Sequence, residues 1–313
     1  MAEPRNEKGS ALGDRAQALV IRALYRILPL VPLKTSYLLS RALSSLLVRL
    51  FPRQRHAVLG NLDVAFGSSL GGAEKREIAR AMADNMIKSF FECLYLASPF
   101  YDKLEGRAAI TGREHLDCAL ARGKGVIAVS AHFGNFINLG SIMVRAGYPF
   151  HMVLRDPGRE PIARLFRLFR RKAGQQWINT TPFAQCQRQI LTCLRGNQII
   201  CLIADEYKRH GGVVVDFFGH PVPTAAGPAL LSLRTGAALL PLFVVRQQDD
   251  THTVMIDPPL AYEPTGNRDK DVRNLTALFT GRVEHYIRMY PHQWWWLNRR
   301  WKGISQGDKH YRG

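Results

Sequence analysis

The sequence predicts an α/β fold, with a mixed, mostly parallel central sheet flanked by helices. Short apolar and β-branched runs, typical of buried strands, alternate with helical patterns of about ten to fifteen residues. Strands have this character when helices cover both faces of a parallel sheet. A chain of 313 residues with 46% apolar and 22% charged residues is long and apolar enough to form such a core.

Five runs are predicted as strands, the last of them as an edge strand, and helical patterns precede and separate them. The predicted strands are 124–130, 151–154, 198–203, 238–245 and 253–256, and the predicted helices are about 74–96, 160–173, 184–195, 226–235 and 270–289. Strand and helix therefore alternate through most of the chain after residue 124.

The N-terminal segment 16–51 is strongly apolar, but Arg or Lys interrupts it every few residues. No run approaches the roughly 18 to 20 apolar residues of a membrane-spanning helix, and Pro29 and Pro32 are predicted to divide the segment into two helices. Such helices suit a membrane interface; core-packed helices with exposed arginines are the alternative. We therefore divide the chain into membrane-associating helices at 1–51 and an α/β domain at 52–313.

The charge balance is strongly basic, with 43 Lys and Arg against 25 Asp and Glu and a formal net charge of +18. Such an excess attracts nucleic acid, anionic lipid head groups or phosphorylated substrates. A nucleic-acid binder is the alternative to an enzyme. It would require an RNA-recognition signature or basic residues on a groove-binding element, and the sequence shows neither, so we expect no nucleic-acid partner.

The stretch SAHFGNFI at 130–137 directly follows a predicted strand and is expected to begin a helix. Sites in open α/β sheets form at the carboxyl ends of strands, which makes His132 a candidate general base. The positive end of the following helix would favour neutral imidazole, and Gly134 would let the backbone turn beside a ligand. A packed or capping histidine is the alternative.

Two later stretches add candidate binding residues. Thr224 and Gly227 lie in VVVDFFGHPVPTAAGP at 213–228, where a glycine near a helix start can admit a phosphate or head group. A turn rich in glycine and proline is the alternative there. The terminal QWWWLNRRWK at 293–302 mixes aromatic and basic residues, which suits a membrane interface or stacking on single-stranded nucleic acid.

Other classes of site are not favoured. The H-E-x-x-H pattern is absent and the ten histidines show no ligand spacing, so we expect no metal. The P-loop pattern fails at Ala73, where lysine is required, and we expect no cofactor. Ser130 lacks the flanking glycines of a nucleophile elbow, which argues against a serine acyl-enzyme.

Four blocks occur in a specific order: GVIAVSAHFGNF, LRDP, IADE followed by FFGHPVPTAAGPALLSLRTGAALLP, and HQWWWLNRRWK. In this order and spacing the chain resembles the bacterial lipid A biosynthesis (lauroyl- and myristoyl-type) lysophospholipid acyltransferases, with a weaker similarity at Arg55 and Asn61. The resemblance implies an α/β domain of the glycerolipid acyltransferase type, docked by helices on the cytoplasmic face of the bacterial inner membrane. The implied donors are acyl carrier protein or coenzyme A thioesters, and the implied acceptors are glycolipids or lysolipids.

The chain departs from that family in one place. The family pattern is His, four residues, then Asp or Glu, but here the fifth position after His132 is Ile137. Asp205 or Glu206, which follow another predicted strand, are expected to replace the acid, although an ordinary polar strand end is an equal reading of that pair. The alternatives are slow catalysis by His132 alone, or a lipid-binding relative with weakened catalysis.

The resulting hypothesis is direct acyl transfer. His132 takes the proton of an acceptor hydroxyl, which attacks the thioester carbonyl. Backbone N–H groups at Gly134 and Asn135 are expected to stabilise the oxyanion. Arg155, at the end of the next strand, matches an arginine that belongs to the site in the family, and it would hold a phosphate or carboxylate of a substrate.

Overall fold

The computed structural model describes residues 11–98, 106–158, 160–208 and 211–302. Within these residues a helical N-terminal third is followed by a region in which most strands are separated by helices. The helices are α1 (Ala11–Ile27), α2 (Leu33–Leu50), α3 (Pro52–Phe66), α4 (Gly72–Ala97), α5 (Arg113–Ala121), α6 (Leu139–Arg145), α7 (Glu160–Lys172), α8 (Phe183–Arg195), α9 (Gly227–Thr235) and α10 (Arg268–Met289). The strands are β1 (Ala108–Thr111), β2 (Val126–Ser130), β3 (Phe150–Leu154), β4 (Gln176–Asn179), β5 (Ile199–Ile203), β6 (Gly212–Phe217), β7 (His220–Ala225), β8 (Ala238–Arg246) and β9 (His252–Ile256).

Seven strands form one sheet in the order β1-β9-β8-β2-β5-β3-β4. Every neighbouring pair is parallel except β8 and β9. All residues of β2 and β8 are buried, which explains their almost uninterrupted apolar sequences. The predicted α/β fold with a mixed, mostly parallel sheet is confirmed.

Three features of the strands differ from the prediction. The strand predicted as an edge, β9, lies between β1 and β8, and the edges are β1 and β4. Each of these edge strands has only four residues, too few for a periodic apolar pattern. The stretch 212–225, which also suited a plain turn region, forms a separate antiparallel hairpin of β6 and β7. Its two turn residues, Phe218 and Gly219, have φ of 55° and 75°, as a tight two-residue hairpin requires.

The N-terminal segment forms two helices, α1 and α2, separated around Pro29 and Pro32 as predicted. One face of α2 is buried and polar, and it packs on α4. Tyr37 and Ser40 on that face donate hydrogen bonds to Glu92 and Asp84 of α4. Among the described residues, no helix combines the length and apolar character needed to span a membrane.

A buried ion pair connects α4 to the sheet. Arg246 at the end of β8 donates to both carboxylate oxygens of Glu92, at 2.6 and 3.1 Å, and both side chains are almost completely buried. Burial alone would raise the pKa of Glu92, but Arg246 and His252 lower it to about 2. Tyr37 and Asn135 also donate to this carboxylate. Glu92 therefore joins α2, α4, β8 and the segment after β2.

We expect Glu92→Ala to lower the free energy of unfolding by about 3–5 kcal/mol, because it leaves the Arg246 charge buried without a partner. Chemical denaturation measures this loss. Glu160→Ala is the control, since Glu160 is an exposed carboxylate paired with an exposed Arg164, and its loss should lower the free energy of unfolding far less. Equal destabilisation by the two variants would contradict the role assigned to Glu92.

Candidate active site

The carboxyl ends of β2 and β5 bring together the chemical groups of the site. These strands are parallel neighbours, with Ser130 opposite Ile203, and the pairing continues for one hydrogen bond from the Ala204 N–H to the Ser130 carbonyl, at 3.0 Å. His132 lies two residues after the end of β2, and Asp205 lies two residues after the end of β5. The sheet order therefore places the two side chains at one point on the sheet edge.

Asp205 forms two hydrogen bonds with His132. Its Oδ1 lies 2.9 Å from His132 Nδ1, and its Oδ2 accepts the His132 backbone N–H at 3.1 Å. The Asp205 side chain is fully buried, whereas the imidazole is 24% exposed. The second ring nitrogen, Nε2, lies 4.0 Å from Oε1 of the exposed Glu206. Nδ1 is thus engaged by Asp205, whereas Nε2 is hydrogen-bonded to neither carboxylate.

The terminal aromatic segment completes this arrangement. Trp294 Nε1 donates to Asp205 Oδ2 at 2.7 Å, and Asn298 Nδ2 approaches the same oxygen at 3.4 Å. The Trp295 backbone N–H donates to the His132 carbonyl at 2.9 Å. The segment therefore holds both members of the His132–Asp205 pair.

The position of this segment corrects the sequence-based interpretation of it. Trp294, Trp296 and Trp301 are at most 1% exposed, so they are not available to a membrane interface or to nucleotide bases. The guanidinium of Arg300 is also buried, 4.7 Å from the Phe217 ring. The tryptophans pack with Phe217 at the end of β6 and with Phe218 of the hairpin turn in a single aromatic cluster.

His132 lines a cavity of about 650 Å³ at the carboxyl edge of the sheet, within the usual size range of ligand sites. Arg155, which follows β3, lines it beside Glu206. Apolar side chains form much of the remaining wall, among them Met86, Phe136, Ile137, Phe166 and Trp295.

A second, strongly apolar groove of about 530 Å³ lies between the N-terminal helices and α4. Its walls include Leu43, Phe51 and Phe90. Met86 and Trp295 line both this groove and the His132 cavity. The two spaces therefore adjoin at these side chains.

The family model for the bacterial lipid A biosynthesis acyltransferases matches residues 11–303. The chain belongs to this family. A phosphatidylinositol mannoside acyltransferase of Mycobacterium tuberculosis is 31% identical over 201 residues, which are 61% of this chain and 59% of that relative. The corresponding protein of Mycolicibacterium smegmatis is 27% identical, with 72% of each chain covered. The lipid A biosynthesis lauroyltransferase of Escherichia coli is 24% identical, with 88% of each chain covered.

The pKa of His132 in this lipid A acyltransferase family member is set by Asp205 and not by a helix. Burial lowers the pKa, but the charge and hydrogen bond of Asp205, with a smaller contribution from Glu206, raise it above 6.5. Burial raises the pKa of Asp205, but His132 and Trp294 keep it below 3.8. The expectation that a helix begins at this stretch was wrong, because α6 begins only at Leu139.

Gly134 and Asn135, predicted to bind substrate, hold the backbone after His132. The Gly134 N–H donates to the Gln293 carbonyl at 2.8 Å, which leaves it unavailable to an oxyanion in this structure. Its φ is +54°, and a Cβ would lie 1.8 Å from the Val244 carbonyl oxygen, so only glycine fits. The Asn135 amide is buried and donates to Glu92.

Thr224 and Gly227 do not line the His132 cavity. Thr224 is fully buried, and its Oγ1 accepts a hydrogen bond from Arg300 Nη2 at 2.6 Å. Arg300 Nη1 also donates to the Glu206 carbonyl at 3.1 Å. Gly227 is the exposed first residue of α9. The structure therefore groups His132, Asp205, Glu206 and Arg155, and it places Thr224 behind the strand end that carries Glu206.

Sequence reasoning missed Trp294, Asn298 and Glu92 as residues that hold this site. The run of three tryptophans was visible, but their number and the neighbouring arginines suggested an exposed surface. Glu92 has no such signal, because it is one acid within a long helical pattern.

We expect the pKa of His132 to lie above 6.5 in the parent protein and to fall below 6.5 in Asp205→Asn. The amide removes the charge that opposes the burial of imidazolium. An imidazole titration by nuclear magnetic resonance measures both values. Glu206→Gln is the matched control and should lower the pKa less, because Glu206 is 67% exposed and 4.0 Å away. An unchanged pKa in Asp205→Asn would contradict this account.

Proposed function

We propose that this protein transfers a fatty acyl group from a thioester of acyl carrier protein or coenzyme A to a hydroxyl of a glycolipid or lysolipid, as in lipid A-type biosynthesis. One observation carries the proposal. A histidine paired through Nδ1 with a buried carboxylate stands in a cavity at the carboxyl edge of the sheet, with Nε2 free to accept a proton. Membership of the acyltransferase family and the names of the relatives support this chemistry.

In the proposed mechanism His132 Nε2 takes the proton of the acceptor hydroxyl as its oxygen attacks the thioester carbonyl carbon. The tetrahedral intermediate collapses with cleavage of the C–S bond, and the leaving thiolate takes the proton back from the imidazolium. Asp205 keeps Nδ1 protonated and stabilises the imidazolium through the 2.9 Å contact. In a related catalytic arrangement, loss of the acid partner costs on the order of 10⁴ in rate.

This mechanism does not need an acid at position 137. Ile137 is partly buried against Phe169 and its neighbours and lines the cavity. Asp205 reaches His132 from the adjacent strand and already occupies Nδ1. We therefore assign the role of the missing acid to Asp205.

Glu206 is assigned a catalytic role and Arg155 a substrate contact. Glu206 is exposed near Nε2, where its charge would help to stabilise the imidazolium. Arg155 is exposed on the cavity wall, where it would pair with a phosphate or carboxylate of the donor or acceptor. Thr224 would act through Arg300, which holds the backbone of Glu206.

The adjoining apolar groove is the proposed place for the acyl chain. It is lined almost entirely by hydrocarbon side chains from the N-terminal helices, α3 and α4. A thioester carbonyl beside His132 would leave its chain free to enter the groove past Met86 and Trp295. Burial of an acyl chain contributes roughly 0.8 kcal/mol per CH₂ group.

We expect His132→Ala to lower the rate of acyl transfer at least about 10³-fold, since it removes the general base. The assay measures transfer of a labelled acyl group from acyl carrier protein or coenzyme A to an extracted lipid acceptor, with mass spectrometry of the product. His285→Ala is the control, because His285 is an exposed histidine on α10 and should leave the rate unchanged.

Equal turnover by His132→Ala and the parent would overturn the mechanism. Lipid binding without transfer by the parent would instead indicate the alternative, a lipid-binding relative with weakened catalysis. Tight, salt-dependent binding of nucleic acid in its place would indicate a nucleic-acid binder.

The protein is proposed to act as a peripheral protein on the cytoplasmic face of the inner membrane, and the surface of α1 and α2 supports the membrane contact. Large apolar side chains are exposed there, with Leu19 at 65%, Leu38 at 62% and Leu46 at 50% exposure. Exposed arginines lie among them, including Arg22 and Arg41. Apolar side chains between cations suit the boundary between lipid head groups and acyl chains.

We expect Leu38→Ser combined with Leu46→Ser to weaken binding to vesicles about tenfold or more, because two apolar side chains no longer enter the lipid. Sedimentation with phosphatidylcholine vesicles, with and without phosphatidylglycerol, measures this. Leu278→Ser combined with Met289→Ser alters two exposed apolar residues of α10 and should have little effect. Equal loss in the two double variants would contradict a membrane surface on α2.

A further inference from the structure

A third cavity, of about 580 Å³, lies at the same edge of the sheet as the His132 cavity. Its floor includes Ala108 at the start of β1 and His252 at the start of β9. Because β9 runs antiparallel to β8, the beginnings of β1 and β9 meet the carboxyl ends of β8 and β2. This cavity is therefore part of the edge where ligands bind in open α/β sheets.

Four cationic side chains from different elements line this third cavity. They are Arg107 before β1, Arg113 of α5, Arg145 of α6 and Lys172 at the end of α7. Among the described lining residues Glu92 is the only carboxylate, and Arg246 already pairs with it at 2.6 Å. The part of the lining that the structure describes is therefore net positive, which attracts anions.

Two buried polar atoms at this cavity lack hydrogen-bond partners among the described residues. His252 is 4% exposed, and its Nε2 makes no hydrogen bond, although Glu92 Oε2 lies 3.4 Å away. The Nε of Arg107 is buried and also unpartnered. Buried polar groups are nearly always hydrogen-bonded in folded proteins. Two such atoms beside one cationic cavity indicate a ligand with acceptor oxygens.

We propose that this cavity binds a phosphoryl group of a substrate. Phosphate oxygens match the donor set, since guanidinium groups bind them through paired N–H bonds and lysine through its charge. Burial holds the pKa of His252 at about 4, so the ring is neutral at neutral pH and can donate from Nε2 in the matching tautomer. A volume of about 580 Å³ accommodates a diphosphate with part of the group that carries it.

The link to the proposed acyl transfer, on which this part rests, is the position of the cavity. It shares no lining residue with the His132 cavity, but residues adjacent in sequence line the two cavities. Ile137 and Gln175 line the His132 cavity, whereas Asn138 and Gly174 line this third cavity. A substrate that places its reacting group at His132 could therefore place a phosphoryl group here. Two sources have this chemistry, the phosphorylated carrier of the donor and the head group of a phosphorylated lipid acceptor.

The first test uses inorganic pyrophosphate as the probe, titrated calorimetrically into the protein. We expect Arg113→Gln with Arg145→Gln and Lys172→Gln to weaken its binding roughly tenfold or more, since three charges facing the probe are removed. All three side chains are exposed, so the fold should tolerate the changes. The control removes the same charge through Arg188→Gln, Arg195→Gln and Arg273→Gln, which are exposed and do not line the cavity. Equal weakening in the two triple variants, or no binding by the parent, would overturn the proposal.

The second test distinguishes the two sources and is independent of turnover, because it uses His132→Ala as the background. If the donor supplies the phosphoryl group, the cavity variant should weaken binding of coenzyme A but not of dephosphorylated pantetheine. If the acceptor supplies it, the variant should weaken binding to vesicles of a phosphomonoester lipid more than to phosphatidylglycerol vesicles. Loss in neither arm would overturn the link to the substrates. Pyrophosphate binding without any acyl transfer by the parent would reject the proposed function and leave the anion site standing.

Discussion

The buried carboxylate of Asp205 joins three distant parts of the chain. It accepts hydrogen bonds from His132 after β2, and from Trp294 and Asn298 in the terminal segment. A buried charge is stable only when such donors surround it. The burial of Asp205 therefore requires that β2 and β5 be neighbours and that the terminal segment return to the sheet edge. The same bonds orient the imidazole and keep its pKa above 6.5.

A second buried carboxylate, Glu92, binds the segment between β2 and α6 that also carries His132. Asp205 binds His132, and Glu92 binds Asn135 three residues later. Glu92 also accepts from Tyr37 of α2 and Arg246 of β8. Helix α2, which carries part of the exposed apolar surface, is thus tied by one side chain to the segment that follows His132. Each carboxylate is matched by nearby donors, which is why both lie fully inside the protein.

How well the sequence predicted each strand depended on the length of its apolar run. Strands β2 and β8 are buried throughout and β5 over its first three residues, so their apolar runs were recognisable. The edge strands β1 and β4 have four residues each and carry no comparable signal. The hairpin of β6 and β7 contains two prolines and a glycine turn, which resemble a loop when read locally. Trp294 and Trp301 suggested an interface because their neighbours are basic, whereas they are buried.

The sequence by itself determined which residues end the buried strands, and so which polar groups stand at the edge of the sheet. His132 and Asp205 were identified in this way, and Arg155 by its strand end together with the family resemblance. Only the tertiary structure decided that Asp205 faces His132, that Trp294 supports the pair, and that Gly134 and Asn135 hold the loop instead of facing the cavity. The reason is physical: apolar periodicity is a local property of the chain, whereas sheet order depends on packing between segments far apart in sequence.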